Sequence, residues 1–390
     1  MMIHIESFMR LTAQRLIVLL MFVQACSSLS AQHLDIRNKL RDEGPKVMVV
    51  AHMADPIRFP ENSMAGIEFC IKHGVDIIEI DVQKTKDGRI ILMHDASVNR
   101  TTNGKGKVAN LTWEQISKLK LLDKQRKVTE HRVPLLEDVL NMAKGKIIVN
   151  IDKAGGNMSI IRKMVDSLKC GPYVILKGTV SAREYNALDN AVETKPLFMP
   201  IITERTKGVD TFMMDTKAPL IEIIVRHDST YLTSEEGLKM FSKNGAQLWF
   251  NALYDNIAAG RSERRGAYES WDYFIGLGAR IIQTDFPIEL MYYLAKKGLR
   301  SDVDTIAFAQ LIEPVPQKKN ETLSNAPSVK KPEQPKKNSV VVPRIHIVRT
   351  GDSLYLISRK YGVSLKRILS LNPRLSESSV LHPGQKIKIP

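Results

Sequence analysis

The stretch "EIDVQKTKDGRIILMHD", Glu79 to Asp95, sets two carboxylates two residues apart in an apolar run, then turns and ends on His94 and Asp95. Alternate residues of a strand project to one face, so Glu79 and Asp81 point together. Asp152 closes another apolar run, and His52 closes a third. Carboxylates converging from neighbouring strands repel one another, a conflict that a hard divalent cation with oxygen ligands resolves. Two imidazoles beside them, His52 and His94, supply a proton acceptor and a proton donor near neutral pH.

Such residues must be brought together by the fold. Strand-like runs are expected at 47–52, 77–82, 147–152, 174–177, 197–202, 221–227, 247–251 and 280–285, separated by helical stretches. Most are apolar throughout, as parallel strands buried on both faces should be. The pattern predicts a (β/α)8 TIM barrel over residues 44–300, with the chemistry at the C-terminal ends of the strands. There His52 ends the first strand, Asp152 the third, Lys177 the fourth, Asn251 the seventh and Thr284-Asp285 the eighth. Glu61 and Asn62 follow His52 in the first loop.

The run Ile90–Asp95 is a ninth strand, and too few residues separate it from Asp81 for a parallel crossover. The Lys86-Asp-Gly-Arg89 segment is expected to form a hairpin inserted after strand two, with Asp87-Gly88 as its loop. In that register paired residues sum to 175, and His94 lies opposite Asp81.

The rest of the chain reads as leader, tether and small domain. Arg10 and Arg15 precede a short apolar run, Leu16–Val23, too short to span a bilayer and typical of an export signal over residues 1–31. Two cleavage sites compete: one at Cys26, which would be lipidated and anchor the protein to a membrane, and one after Ala31. Neither Cys70 nor Cys170 sits in a zinc-like spacing, and Cys70 reads as a small core residue. Residues 313–343 are rich in proline and lysine and form a semi-extended linker. The formal charge is +15, but residues 313–390 hold fifteen Lys/Arg against five Asp/Glu, so about +10 of it sits there. The large N-terminal part is only mildly basic, which argues against a nucleic-acid partner. Residues 344–390 predict a β-α-α-β unit, with Ile357, Tyr361 and Val363 on one buried helical side and Leu365, Ile368 and Leu369 on another. His33, His131, His346 and His382 are read as surface or loop residues, and Trp271 as core.

The segments "AHMADPIRFPENSMAGIEFCIKHGVDIIEIDVQKTKDGRIILMHDASVNRTTNGKG", "VNIDK", "LWFNAL" and "WDYFIGLGARIIQTDFP" resemble the glycerophosphodiester phosphodiesterases. That resemblance implies hydrolysis of glycerophosphodiesters to glycerol 3-phosphate and an alcohol. It makes Glu79, Asp81 and Asp152 ligands of one Ca2+ or Mg2+, and His52 and His94 the acid–base pair. Glu61, Lys153, Lys177, Trp249 and Asn251 are the candidates for substrate contact. Three positions depart from the family pattern. Met53 stands where an arginine is expected, Asp152 where a glutamate is usual, and Ala154 where a lysine is expected. Arg58, Lys153 and Lys177 are the cations that would replace the missing guanidinium. The tail segments "VRTGDSLYLISRKYGVSLKRILSLNP" and "LHPGQKIKIP" resemble the lysin-motif (LysM) domain, which implies binding to peptidoglycan or another N-acetylglucosamine-containing glycan. The expectation is an exported enzyme of a bacterial periplasm or cell envelope. The alternative, prompted by Met53, is a catalytically silent barrel serving as a wall-associated binding protein. A glycoside hydrolase is disfavoured, because its paired carboxylates must be free to protonate and attack.

Overall fold

The computed structural model describes residues 35–41, 47–188, 192–226, 230–253, 264–312 and 344–348, then 357, 361, 363, 365–373, 375 and 385–389. The leader, Cys26, the linker, His33, His227 and His382 lie outside the described residues. Among the described residues no helix is long and apolar enough to cross a membrane.

The strands are β1 (Met48–Ala51), β2 (Ile77–Lys84), β3 (Ile90–Leu92), β4 (Lys120–Leu122), β5 (Val128–Arg132), β6 (Ile148–Asp152), β7 (Val174–Gly178), β8 (Leu197–Thr203), β9 (Leu220–Ile224), β10 (Gln247–Asn251) and β11 (Ile281–Thr284). The parallel order β1-β11-β10-β9-β8-β7-β6-β2 closes through a β1–β2 pairing, which makes an eight-stranded barrel. All eight predicted strands are present, although the sixth stops at Ile224.

Both faces of the eight barrel strands are largely buried, yet the two faces differ. Outward residues such as Val49, Ile78, Val149, Leu176 and Phe250 join the large cluster under the helices. Inward residues are apolar at the N-terminal end, where Met48, Val50, Ile77, Ile148, Ile175, Leu220, Trp249 and Ile281 form a separate cluster. One step up the same strands the inward positions become Glu79, Asn150, Lys177, Glu222, Asn251 and Gln283, all buried. The barrel therefore has a dry floor and a polar upper storey. Ile36 and Leu40 of the helix Ile36–Arg41 pack into the floor cluster from below. Gln247 donates to the Leu40 carbonyl and Arg280 to that of Lys39, which hold the helix in place.

The hairpin is present, but its register differs from the expected one. Val82 pairs with Leu92 and Lys84 with Ile90, so paired residues sum to 174. The loop has three residues, 86–88, because the Thr85 N–H bonds the Arg89 carbonyl and Gly88 takes φ +85. That is a turn closed by a left-handed glycine and a bulge, one residue longer than the two-residue form. Met93, and not His94, thus faces Asp81, and its N–H donates to the Asp81 carbonyl at 2.9 Å. Residues 96–135 build a small satellite around Ile91, Val98, Val108, Ile116 and Leu121.

The C-terminal unit pairs β12 (Arg344–Ile347) with β13 (Lys386–Ile389) antiparallel. Val348, Ile357, Ile368, Ile387 and Ile389 form its core, with Tyr361, Val363 and Leu369 against it. Asn372 ends the helix Leu365–Leu371 and ties it to the sheet, donating to the Ile368 and Lys388 carbonyls and accepting from the Lys388 N–H. His346 is buried rather than a surface residue, its Nδ1 lying 3.0 Å from the Tyr361 hydroxyl. The inward phase of the short strand imposes this, since Ile345 and Ile347 on the other face are exposed.

Candidate active site

A cavity of about 160 Å³ opens at the C-terminal end of the barrel, above the polar storey. Glu79, Asp81 and Asp152 line it, and each offers an oxygen within 4.8 Å of the others. Oxygens sharing one Ca2+ at 2.3–2.6 Å can be no more than about 5 Å apart. The donor set is all carboxylate, so the residues present fit one hard dication. Asn62 braces this cage: its amide donates to Asp81 Oδ2 and accepts from the Asp81 N–H, both at 3.0 Å. Asn62 holds φ +59, a left-handed conformation that asparagine tolerates better than most residues.

The chain enters this site under strain. Met53, Ala54 and Asp55 are consecutive left-handed residues, with φ of 47, 58 and 66. The tight coil turns the Met53 N–H onto Glu79 Oε2 at 3.2 Å. It also brings the Ala54 carbonyl so near the helix Met64–Lys72 that a Cβ on Gly66 would sit 2.1 Å from that oxygen.

Each candidate histidine is held by an aspartate. His52 Nδ1 lies 2.6 Å from Asp285 Oδ1, and His94 Nδ1 lies 2.8 Å from Asp95 Oδ1. With Nδ1 engaged, Nε2 is the nitrogen left for the cavity, and His52 Nε2 stands 3.9 Å from Glu79 Oε2. Burial alone would lower the His52 pKa, but the Asp285 hydrogen bond and the charges of Asp285, Glu79 and Asp81 outweigh it and raise it. Asp95 sits well below the usual carboxylate range, chiefly through its hydrogen bonds from Arg100. Arg100 clamps Asp95 with Nε and Nη2 and Glu61 with Nη1 and Nη2, at 2.6–2.9 Å. His94 belongs to the cavity despite the register shift, because the chain leaves the ladder at Leu92 and its carbonyl is caught by Lys153 Nζ at 2.8 Å.

Burial and the neighbouring Asp81 push the Glu79 carboxyl up to about 7. Lys177 Nζ lies 3.7 Å from Glu79, 3.2 Å from Asp152 and 3.3 Å from Glu222. Burial disfavours its charge, but those three carboxylates overcome the penalty and raise its pKa strongly. Lys153 adds a second ammonium 3.5 Å from Asp81.

The structure gathers His52, His94, Glu79, Asp81, Asp152, Lys153, Lys177 and Asn251 around one cavity. Two candidates lie elsewhere. Trp249 is fully buried in the barrel floor, donating from Nε1 to Asn251 Oδ1 at 3.0 Å, because the strand's alternation puts it one storey lower. Glu61 is occupied by Arg100 and does not line the cavity. Arg58 cannot stand in for the missing arginine either: it is spent on Asp55 and Glu289 at 3.0 and 2.9 Å. Trp271 and Cys70 are core residues, as expected. Glu222, Gln283 and the two orienting partners Asp285 and Arg100 were not anticipated in their roles. The one sequence signal for Glu222 is a glutamate inside the apolar run "LIEII".

Residues 52–288 match the glycerophosphoryl diester phosphodiesterase family, and residues 346–390 match the LysM domain. A glycerophosphodiester phosphodiesterase of Caldanaerobacter subterraneus subsp. tengcongensis is 38% identical over 129 residues, 32% of this chain and 53% of that protein. One from Bacillus altitudinis is 39% identical over 110 residues, 27% of this chain and 44% of that protein. The chain thus spans about half the length of these curated relatives. A crystal structure of a glycerophosphoryl diester phosphodiesterase from Parabacteroides distasonis superposes with a TM-score of 0.57 at 22% identity, covering 70% of this chain and 96% of that one, which shows a shared fold.

Proposed function

The chain belongs to the glycerophosphoryl diester phosphodiesterase family, and from that premise we propose that it is a metal-dependent phosphodiesterase. Its substrates are glycerophosphodiesters, its products glycerol 3-phosphate and an alcohol, and its LysM domain holds it to peptidoglycan outside the cell. The observation that carries this reading is the pairing of a three-carboxylate cage with two aspartate-oriented imidazoles in one cavity.

A Ca2+ or Mg2+ held by Glu79, Asp81 and Asp152 would polarise a non-bridging phosphate oxygen and offset the charge that develops there. The rest falls to the chain's own groups. One imidazole takes a proton at Nε2 from water or from the neighbouring glycerol hydroxyl, and the other gives a proton to the departing alkoxide. Asp285 and Asp95 fix the ring orientations and stabilise the protonated forms. Lys153, which is partly exposed, and the buried Lys177 hold the phosphate as point charges, without the bidentate geometry of a guanidinium.

The second reading is a barrel without turnover, favoured by Met53 and by the absence of any arginine among the described residues lining the cavity. Release of glycerol 3-phosphate from glycerophosphocholine, measured with Ca2+, with Mg2+ and with chelator, separates the two. Metal-dependent turnover that falls by roughly 10²–10⁴ in His52→Ala and in His94→Ala supports the enzyme. Metal binding without turnover of any diester supports the silent barrel. Co-sedimentation of the full chain with peptidoglycan, competed by N-acetylglucosamine oligomers, tests the LysM assignment.

A further inference from the structure

We propose that Lys177 and Glu222 form a counter-ion pair that sets the charge of the cation cage, with Lys177 shared between the cage and Glu222. The inference rests on the metal reading given above and extends it to residues below the cage.

The geometry is specific. Lys177 is 4% exposed and projects from β7 between Glu79 and Asp152 on one side and Glu222 on the other. Glu222, on β9, is fully buried and lines the same cavity. Its Oε1 is fixed by Asn251 Nδ2 at 2.8 Å, and Asn251 is fixed in turn by Trp249. Its Oε2 is buried with no hydrogen-bond partner. A buried carboxylate oxygen without a donor is costly, so a second acceptor is held ready beside the ammonium that already donates to Glu222 Oε1 at 3.3 Å.

Charge explains what it is for. Once ionised, as dication binding requires, Glu79, Asp81, Asp152 and Glu222 carry four negative charges, against the two ammonium groups of Lys153 and Lys177. With these groups ionised the cage stands at −2, matched to one dication. Before the ion arrives, the Lys177 ammonium shields Glu79 and Asp152 from each other. When the ion binds, like charge drives Lys177 toward Glu222 Oε2, and it remains as a positive floor beneath the anionic diester. Lys177 is thus a competitor for the ion, and Glu222 is what draws the competitor away.

This assigns opposite effects to two neighbouring residues. Removing the ammonium should tighten dication binding, and removing the Glu222 charge should weaken it, because Lys177 then has only the cage to pair with. Calcium and magnesium affinities are measured by calorimetry on the full chain. Lys177→Met is expected to lower Kd at least tenfold, and the isosteric Glu222→Gln to raise it at least tenfold. In Lys177→Met/Glu222→Gln the effect of the second change should vanish. Circular dichroism verifies folding, and Glu222→Gln, which preserves shape, carries the test if Lys177→Met does not fold. An unchanged or lower Kd in Glu222→Gln, or weakening in both single variants, overturns the pair while leaving the metal reading intact. No dication binding by the wild-type chain would sink both.

Discussion

His52 and Asp285 are 233 residues apart in the chain and 2.6 Å apart in the fold. β1 and β11 are hydrogen-bonded neighbours, so closing the barrel is what delivers the aspartate to the imidazole. The orientation of the His52 ring therefore depends on the last strand of the barrel.

Asp285→Asn tests this. The amide preserves shape but removes the charge that favours the imidazolium and the acceptor that selects the tautomer. Activity should fall on the order of a hundredfold or more with the fold intact. Because Asp285 raises the His52 pKa, the limb of the pH–rate profile governed by His52 should move to lower pH. An unmoved limb would remove Asp285 from the mechanism.

Metal uptake should depend on pH through Glu79. Its carboxyl, pushed up to about 7 from an ordinary 4.5, holds a proton in the metal-free fold that the unfolded chain has already released. That proton's contribution to stability is full below about pH 4.5 and is lost as pH rises through 7. The dication must displace it, so affinity should weaken by about tenfold per pH unit below 7. Calorimetry in buffers of different ionisation enthalpy should record proton release at pH 6 and little at pH 8.

Met53→Arg should restore the missing clamp. Met53 is among the residues lining the cavity, and arginine adopts its left-handed backbone conformation no less readily than methionine. A bidentate pair with the phosphate is expected to lower KM by about tenfold or more, with kcat changed less. Steady-state kinetics on glycerophosphocholine give the answer, and an unchanged KM would mean that position 53 does not reach the phosphate.

Gly66→Ala should damage the site from a distance. The new methyl group would meet the Ala54 carbonyl at 2.1 Å, and that carbonyl lies in the strained turn carrying His52 and Met53. Overpacking of this kind costs about 1–3 kcal/mol. A lowered Tm together with reduced activity is expected, whereas Gly74→Ala, with nothing near its Cβ, should affect stability alone.

Much of this architecture was legible because buried parallel strands are written as continuous apolar runs, and their last residues mark the reactive rim. The same feature hid the interior. When both faces are apolar, nothing in the run "QLWFN" says that Trp249 belongs to the floor and Asn251 to the storey above. The hairpin was recognised from Asp87-Gly88, but its register was off by one, since the left-handed Gly88 closes a three-residue loop. The His94–Asp95 pair is adjacent in sequence and easily seen. The Asp285 and Glu222 partnerships are made by barrel closure and by the stacking of inward side chains, which no local pattern encodes.

The sealed lower end of the barrel has a consequence for traffic. The helix Ile36–Arg41 and the apolar plug around Trp249 stop the bore from below, so among the described residues the cage opens toward the C-terminal ends of the strands. In the proposed reaction the ion, the diester and both products would share that opening. On the proposed reading the ion is seated before the diester lodges above it, and each product would leave past His94, which lines the cavity and is held by Asp95.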